Sequence, residues 1–274
     1  MVAILLSTYN GEKYLKEQID SIVNQDYKNW KLYIRDDGSI DSTTDIIENY
    51  CQKYSDILFL KDNNNKGAAQ SFLYLLENVE AEYYMFCDQD DVWFNDKITS
   101  VYNILKDSEE KNKPSLVFSD AKIVDKDLKI IDHSFWHYNK ILPQLIISQP
   151  DYISVFNCAP GCTMIFNNAL KKCLTDYDDN ILMHDWYIMI KALQYGIVKY
   201  EKRALMMYRQ HHNNVIGAME ISIKNRLMKI GDIKKSFRNQ RETFVFVNKY
   251  LKINFFKYVL LKLKFNLLRF MKIN

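Results

Sequence analysis

The sequence predicts an α/β fold, because short apolar runs alternate with helical patterns over the first third of the chain. Strands that alternate with helices form a parallel sheet that is covered by helices on both faces. The 274 residues are enough to bury one large core of this kind. Four runs have the length and composition of buried strands: VAILLS at 2–7, KLYIRDD at 31–37, ILFLK at 57–61 and EYYMFC at 82–87.

Three segments between these runs have apolar residues at helical spacing. In the second segment, Asp41 and Ser42 stand where a helix N-cap is expected, since their side chains can accept from the first free N–H groups. The three predicted helical segments are TYNGEKYLKEQIDSIVNQ at 8–25, SIDSTTDIIENYCQKY at 39–54 and GAAQSFLYLLENV at 67–79.

The pattern loosens after residue 110. PSLVFSDAKIVDKDLKIID (114–132) predicts a pair of strands with a polar turn near Asp127. CAPGCTMIF (158–166) predicts a loop that enters a strand, and HDWYIMIKALQYG (184–196) predicts a helix that Gly196 ends as a C-cap.

No linker composition interrupts the first 219 residues. We therefore expect 1–219 to form one domain with two functional halves, about 1–110 and 111–219. Residues 220–274 are expected to form a separate basic tail.

The five cysteines, at positions 51, 87, 158, 162 and 173, lack paired C-x-x-C spacing. This argues against a disulfide framework and against a zinc site, and is typical of a reducing compartment. The N-terminal MVAILLSTYN has no charged leader and is interpreted as a strand. No uncharged stretch approaches the roughly 18 apolar residues of a spanning helix. We therefore expect a cytoplasmic protein.

The charges are distributed unevenly. Residues 1–219 hold 23 Lys or Arg against 31 Asp or Glu, whereas residues 220–274 hold 14 against 3. Near the C-terminus, Phe256, Val259, Leu260, Leu263, Leu267 and Phe270 fall on one helical stripe.

Such a basic amphipathic helix is typical of contact with an anionic membrane surface, and we expect 243–274 to make it. Packing on the domain and formation of a homodimer are the alternatives. Nucleic acid is not expected as a partner, since no basic-aromatic platform or known binding motif is present.

Three carboxylates, Asp88, Asp90 and Asp91, crowd into four positions directly behind an apolar strand. A solvated loop, a divalent-cation site and a nucleophile with an acid/base partner all remain possible for such a cluster. The apolar segments on both sides argue against a simple solvated loop. Carboxylate oxygens suit Mg²⁺ or Mn²⁺, which also binds substrate phosphates. A cation shared with a diphosphate would offset the repulsion.

Two other polar clusters also follow strands, Thr8-Tyr9-Asn10 and Asp36-Asp37. Ligands of such sheets bind at the carboxyl ends of the strands, so we expect the three clusters to outline one site. An Asp there can accept the imide N–H of uracil or thymine, a donor that cytosine lacks. The residues therefore predict binding of a nucleoside diphosphate with a metal ion.

Five segments carry a family resemblance: LLSTYNGEKYLKEQIDSIVNQDYKNWKLYIRDDGSIDST, NNKGAAQSF, FCDQDDVWFNDKI, HDWY and YRQHHNN. Together they resemble the family 2 glycosyltransferases of GT-A fold, and in particular a bacterial polysaccharide branch that includes rhamnosyltransferases. The resemblance covers about residues 1–217. It implies a Rossmann-like nucleotide-binding half with a mixed, mainly parallel sheet, an acceptor-binding half and a C-terminal helical extension.

The resemblance also implies residue roles. Asp185 matches the catalytic base. Asp88 and Asp90 match the D-x-D acids, with Asp90 as direct metal ligand, Asp88 near the ribose or metal, and Asp91 in support. The remaining positions fall into three groups: Thr8 and Asp37 at the nucleobase, with Tyr9 and Asn10 in the same nucleotide cluster; Arg209 and His211 (with His212 as the alternative histidine) at the diphosphate or metal; and Gly161, Cys162 and Trp186 at the acceptor.

The function implied is inverting, metal-dependent transfer from a UDP- or dTDP-sugar, with Mn²⁺ or Mg²⁺, to a saccharide acceptor. A lipid-linked acceptor in capsule, O-antigen or cell-wall synthesis would put the enzyme on the inner face of the cell membrane. Two rivals are a non-catalytic nucleotide-sugar-binding scaffold and a haloacid-dehalogenase-like phosphohydrolase. The second is disfavoured because its acid pair follows the first strand, whereas DQDDV follows the fourth predicted strand.

Overall fold

The structure is a computed structural model that describes residues 1–62, 64–178, 181–211 and 233–271. Within these ranges the side chains are described everywhere except in residues 233–239. The predicted boundary at 219/220 and His212 both lie outside the described residues. The strands are β1 Val2–Thr8, β2 Trp30–Asp36, β3 Ile57–Phe59, β4 Tyr83–Cys87, β5 Val92–Trp93, β6 Ser115–Val124, β7 Ile130–Asp132, β8 Met164–Asn167 and β9 Ile197–Arg209.

The strands of the described residues form one mixed sheet in the order β3-β2-β1-β4-β8-β6-β9-β5, with β7 paired to β6. The first four predicted strands are confirmed, and they pair in parallel. β8 then pairs antiparallel with both β4 and β6, while β6 and β9 are parallel over their long register. Most paired residues therefore belong to parallel pairs, as expected. The strand pair β6–β7 with its turn at 125–129 is also confirmed.

Helices cover the sheet. Asp41 and Ser42 stand at the start of α2, where the Asp41 carboxylate accepts from the N–H and hydroxyl of Thr43. The α-helices are α1 Leu15–Val23, α2 Thr43–Lys53, α3 Ala68–Asn78, α4 Lys97–Ser108, α5 Phe135–Asn139, α6 Pro143–Ser148, α7 Asn168–Lys171, α8 His184–Tyr195, α9 Ile233–Leu251 and α10 Phe255–Met271, and 3₁₀ turns run over Pro150–Ser154 and Gly161–Thr163.

Gly196 ends α8 as predicted, but for a different reason. Its backbone is extended rather than left-handed, with φ of −142°. A Cβ at this position would lie 2.2 Å from the carbonyl oxygen of Pro114, so a close approach of two chain segments requires glycine here.

Two apolar clusters lie on the two faces of the sheet. Alternate residues of β1 serve both, since Ala3 and Leu5 belong to one cluster while Ile4 and Leu6 belong to the other. The first cluster continues into α3, α8 and the C-terminal helices, and the second into α1, α2 and α4. A sheet buried on both faces leaves its strand ends as the place for polar chemistry.

The C-terminal helices predicted by sequence are present and contact the domain. Phe246 of α9 packs edge-on to Trp186, with ring centroids 5.9 Å apart. Phe265 of α10 stacks on Phe156 at 3.9 Å. In the described part of the chain, no helix combines the length and the apolar character needed to cross a membrane.

Candidate active site

The carboxyl ends of β1, β2 and β4 meet at one edge of the sheet, as the sequence predicted. The Gln89 side chain accepts from the N–H of Tyr9 at 2.9 Å and donates to the Tyr9 carbonyl at 3.0 Å. Asn10 donates its N–H to Ser39 Oγ at 2.8 Å, which ties in the β2 end. Sequence reasoning placed Gln89 in the cluster Asp88-Gln89-Asp90-Asp91 that follows β4 but gave it no role. Gly11 is the sequence signal for this contact, because a Cβ at position 11 would lie 2.2 Å from Gln89 Oε1.

The adjacent acids Asp36 and Asp37 have different partners. Asp36 accepts from Thr8 Oγ1 at 2.7 Å and from the N–H groups of the following turn. Asp37 forms an ion pair with the fully buried Arg35 at 2.7 Å and accepts from the N–H groups of Lys66 and Gly67. Asp37 is therefore only 4% exposed. The expected nucleobase role of Thr8 and Asp37 stays a prediction. The sequence did not indicate that Asp37 also binds residues 65–67.

Asp88, Asp91 and Cys162 converge. One ligand atom from each lies within 4.8 Å of the others. Asp91 Oδ1 accepts from the backbone N–H of Arg209 at 3.0 Å, whereas its buried Oδ2 has no hydrogen-bond partner within the described residues. An orphaned carboxylate oxygen beside a second carboxylate fits a divalent cation, which takes oxygen ligands.

Asp90 faces a different partner. Its Oδ2 lies 2.7 Å from Nε2 of His211, and the imidazole packs on Tyr14 with centroids 5.0 Å apart. The structure thus brings Asp90 next to His211 and groups Asp88 with Asp91. Sequence reasoning gave Asp91 only a supporting role, because adjacent carboxylates cannot be ranked without their side-chain directions. The metal roles of Asp88, Asp90 and His211 stay predictions.

Burial is the main cause of the raised pKa values in this loop. Burial, followed by the charge of Asp90, raises the pKa of Asp88 to about 7. The same two causes raise the pKa of Asp91 well above its usual value. A bound cation would oppose both, since a nearby positive charge favours the ionised carboxylate. The loop therefore becomes fully charged most readily when a cation is bound.

Lys97, at the first position of α4, is a fully buried cation next to this loop. Its ammonium donates to the Cys162 carbonyl at 2.6 Å and lies 4.2 Å from the centre of the Trp93 ring. Burial lowers the pKa of Lys97 to about 8, while the charges of Asp91 and Asp88 act in the opposite direction. Lys97 thus partly offsets the repulsion among the carboxylates, a role that sequence reasoning missed.

We expect Lys97→Met to lower the free energy of unfolding at pH 7 by about 2 kcal/mol, because it leaves the buried Cys162 carbonyl without its donor and removes the buried cation next to the carboxylates. Urea unfolding measures this. The control is Lys106→Met on the same helix, where a half-exposed lysine pairs with Glu109 and the expected loss is below about 1 kcal/mol. Equal losses for the two variants would contradict the role given to Lys97.

Asp185 stands in the first turn of α8, where the helix dipole favours an anion. Burial raises the pKa of Asp185 to about 6, while hydrogen bonds from the Trp186 N–H, the Gly161 N–H and the Asn157 side chain act to lower it. At neutral pH the carboxylate is therefore mostly ionised. Sequence reasoning missed Asn157, since nothing in the local pattern links it to a residue so much later in the chain.

The turn at Gly161–Thr163 lies between the two acidic regions. Gly161 donates its N–H to Asp185, and the Cys162 thiol hydrogen-bonds with Asp88. A Cβ on Gly161 would lie 2.7 Å from Nε2 of His184, which explains the glycine. His184 itself is buried against Phe72, and burial lowers its pKa to about 3, so the imidazole is neutral.

Trp186 and Arg209 are both engaged within the protein. The Trp186 indole donates to the Ile153 carbonyl at 2.7 Å. Arg209 is 2% exposed, and its guanidinium donates to the carbonyls of Asp90 and Lys126 and pairs with Glu17. Arg209 thus braces the acidic loop from within the fold. Its expected contact with a diphosphate, and the acceptor roles of Gly161, Cys162 and Trp186, stay predictions.

Comparison with known proteins gives a consistent result. The family model "Glycosyl transferase family 2" matches residues 3–174. The dTDP-rhamnosyl transferase RfbG of Shigella flexneri is 30% identical over 252 residues, which cover 87% of this chain and 82% of RfbG. An uncharacterized glycosyltransferase of Rickettsia typhi, RT0329, is 29% identical over 77% of this chain but 64% of its own length.

Solved structures share the fold. S. aureus TarS in complex with UDP-GlcNAc has a TM-score of 0.61 at 18% identity, covering 92% of this chain and 73% of that one. The mannosyltransferase PcManGT of Pyrobaculum calidifontis, in complex with GDP-Man and Mn²⁺, has a TM-score of 0.56 at 14% identity, with 97% and 73% covered. The described chain therefore has the predicted GT-A architecture.

Proposed function

Since the chain belongs to glycosyl transferase family 2, we propose that it is an inverting, metal-dependent enzyme that moves a sugar from a UDP- or dTDP-sugar to a saccharide acceptor. The similarity to a dTDP-rhamnosyl transferase supports a rhamnosyl or related hexosyl donor. A saccharide that is lipid-linked, as in bacterial surface polysaccharide synthesis, is the acceptor that we expect.

One observation carries this proposal. Consecutive residues of a single turn contact the two acidic regions, Gly161 at Asp185 and Cys162 at Asp88. A transferase needs a base on the acceptor side and a stabilised leaving group on the other side of the anomeric carbon. The turn holds the two acidic regions in a fixed relation, which is what in-line displacement requires.

Asp185 supplies the base. Its carboxylate is mostly ionised at neutral pH and is oriented by the Gly161 and Trp186 N–H groups. It accepts the proton of the acceptor hydroxyl as that oxygen attacks the anomeric carbon, and one displacement inverts the configuration. Burial raises the proton affinity of the carboxylate, while the N–H donors keep it ionised at neutral pH.

Asp88 and Asp91, with Asp90 beside His211, are the residues that we propose to hold Mn²⁺ or Mg²⁺. When bound, the cation neutralises charge on the departing diphosphate. The carboxyl ends of β1 and β2, with Thr8, Tyr9, Asn10 and Asp37, are proposed to bind the nucleotide.

A thermal-shift series tests donor and metal together. We expect UDP or dTDP with Mn²⁺ to raise Tm by about 5 °C or more at a hundredfold excess over Kd, because ligand binding stabilises the native state alone. Each nucleotide should act more strongly with Mn²⁺ than without it. GDP and CDP are the matched controls, and equal shifts from either would contradict the nucleobase role of Asp37.

The rival functions are now unequal. Membership of the family argues against a haloacid-dehalogenase-like phosphohydrolase. Release of phosphate from simple phosphomonoesters would be evidence for that function. A scaffold that binds nucleotide sugars without turnover would transfer no sugar, so a change at Asp185 would alter no activity. In a transferase the same change would lower the rate of transfer. A homodimer remains a further proposal for the tail, as does peripheral attachment to the inner face of the cell membrane.

A further inference from the structure

Helix α10 exposes an unbroken apolar face. Phe256, Leu263 and Leu267 are 79%, 63% and 59% exposed, and the intervening polar side chains lie elsewhere on the helix. The spacing is four or three residues throughout, so the members lie on one side. We define the exposed face by Phe256, Leu260, Leu263, Leu267 and Phe270.

The opposite side of the same helix explains why this face is left exposed. Tyr258 and Phe265, seven residues apart, are 2% and 5% exposed, and Phe265 stacks on Phe156 in nearly parallel orientation at 3.9 Å. Arg269 donates to the carbonyl of Asn139 from this packed side. The domain thus holds α10 by one side and presents the exposed face outward. The stripe that the sequence singled out is not the stripe that packs on the domain.

The positive charge of the tail favours an anionic bilayer as the partner of the exposed face. Residues 243–274 carry seven Lys or Arg and no acid. Lys264 is exposed at one margin of the face, and Lys257 at the same margin is exposed but pairs with Asp151 of the domain. A second copy of this helix would bring like charges together, whereas an anionic bilayer attracts them and accepts the apolar side chains between them.

We propose that the exposed face of α10 docks on an anionic lipid bilayer, with the helix parallel to the surface and the five apolar side chains in the headgroup boundary. The attachment deepens the proposed function, because it brings the active site to a lipid-linked acceptor. The binding itself requires no turnover, since α10 contributes nothing to the catalytic residues.

The test is co-sedimentation of the full chain with vesicles of phosphatidylcholine alone and of phosphatidylcholine mixed with phosphatidylglycerol. We expect binding to the mixed vesicles only, weakened by salt. The double variant L263Q/L267Q should bind them at least about tenfold more weakly, because two large apolar side chains no longer enter the bilayer.

The matched control is I130Q/I131Q, which changes two half-exposed apolar residues of β7 on another part of the surface. It should bind vesicles as the unchanged protein does. Circular dichroism and the nucleotide thermal shift check that both variants are folded.

Three results would overturn the proposal: no vesicle binding by the unchanged protein, equal binding to both vesicle types, or undiminished binding by L263Q/L267Q. A dimer of the unchanged protein that L263Q/L267Q converts to a monomer, without vesicle binding, would instead assign the face to a second copy. Vesicle binding without sugar transfer would refute the proposed function and leave the docking surface standing.

Discussion

Asp185→Asn is expected to lower kcat by about 10²–10⁴-fold, the usual contribution of general base catalysis. The amide keeps the shape and can still contact the first-turn N–H groups of α8, but it cannot accept the acceptor's proton. Nucleotide and Mn²⁺ binding should be unchanged, since those ligands are proposed to bind at the other acidic region. Steady-state transfer kinetics and the thermal shift measure the two effects separately.

The pH profile checks the same assignment. Because burial raises the pKa of Asp185 to about 6, the ionised base is lost as the pH falls through that value, and kcat/KM should fall with it. The control is Asp176→Asn, which removes an exposed partner of Lys191 on α8 and should leave kcat within a few-fold. Full turnover in Asp185→Asn would refute its role as the base and would mean that another residue accepts the proton.

Asp90→Ala is expected to abolish the mutual enhancement between Mn²⁺ and the nucleotide, and to weaken metal affinity by at least about 10–100-fold. In the described structure the Asp90 carboxylate contacts His211 beside the Asp88 and Asp91 pair, so removing it takes negative charge away from the place proposed for the cation. Calorimetric titration of Mn²⁺ with and without UDP or dTDP measures the effect.

Asp96→Ala is the control for that experiment. Asp96 lies in the same segment, but its carboxylate pairs with Arg203 at the surface. It should leave the metal and nucleotide affinities unchanged. If Asp90→Ala binds Mn²⁺ and nucleotide as tightly together as the unchanged protein does, the proposed metal site is wrong.

Much of the fold follows from local patterns. Apolar runs of strand length alternate with helical spacing, which was enough to predict β1 to β4 and the helices between them. Because strand ends of a parallel sheet share one edge, the convergence of Thr8-Tyr9-Asn10, Asp36-Asp37 and the Asp88-Gln89-Asp90-Asp91 cluster could also be predicted.

The side-chain partners within the site could not be predicted. Whether Asp90 or Asp91 joins Asp88 depends on which way adjacent side chains leave a turn, and the sequence spacing is the same for either outcome. Arg209 shows the same limit, because its partners Glu17 and Lys126 lie far from it in the chain. Family resemblance suggested roles for these positions but could not indicate that a guanidinium is buried.

The C-terminal tail shows which properties the sequence determines and which the tertiary structure determines. The sequence by itself determined that 243–274 contains a basic amphipathic helix, since periodicity and charge are local properties, and the structure shows this helix at Phe255–Met271. Only the tertiary structure decided which side of it faces the domain. Phe265 stacks on Phe156, and Tyr258 packs on Phe244 of α9. Which apolar side of α10 is buried therefore depends on the shape of a surface built from residues that are distant in the chain. Helical periodicity is encoded along the chain, whereas complementarity between surfaces exists only once the chain has folded.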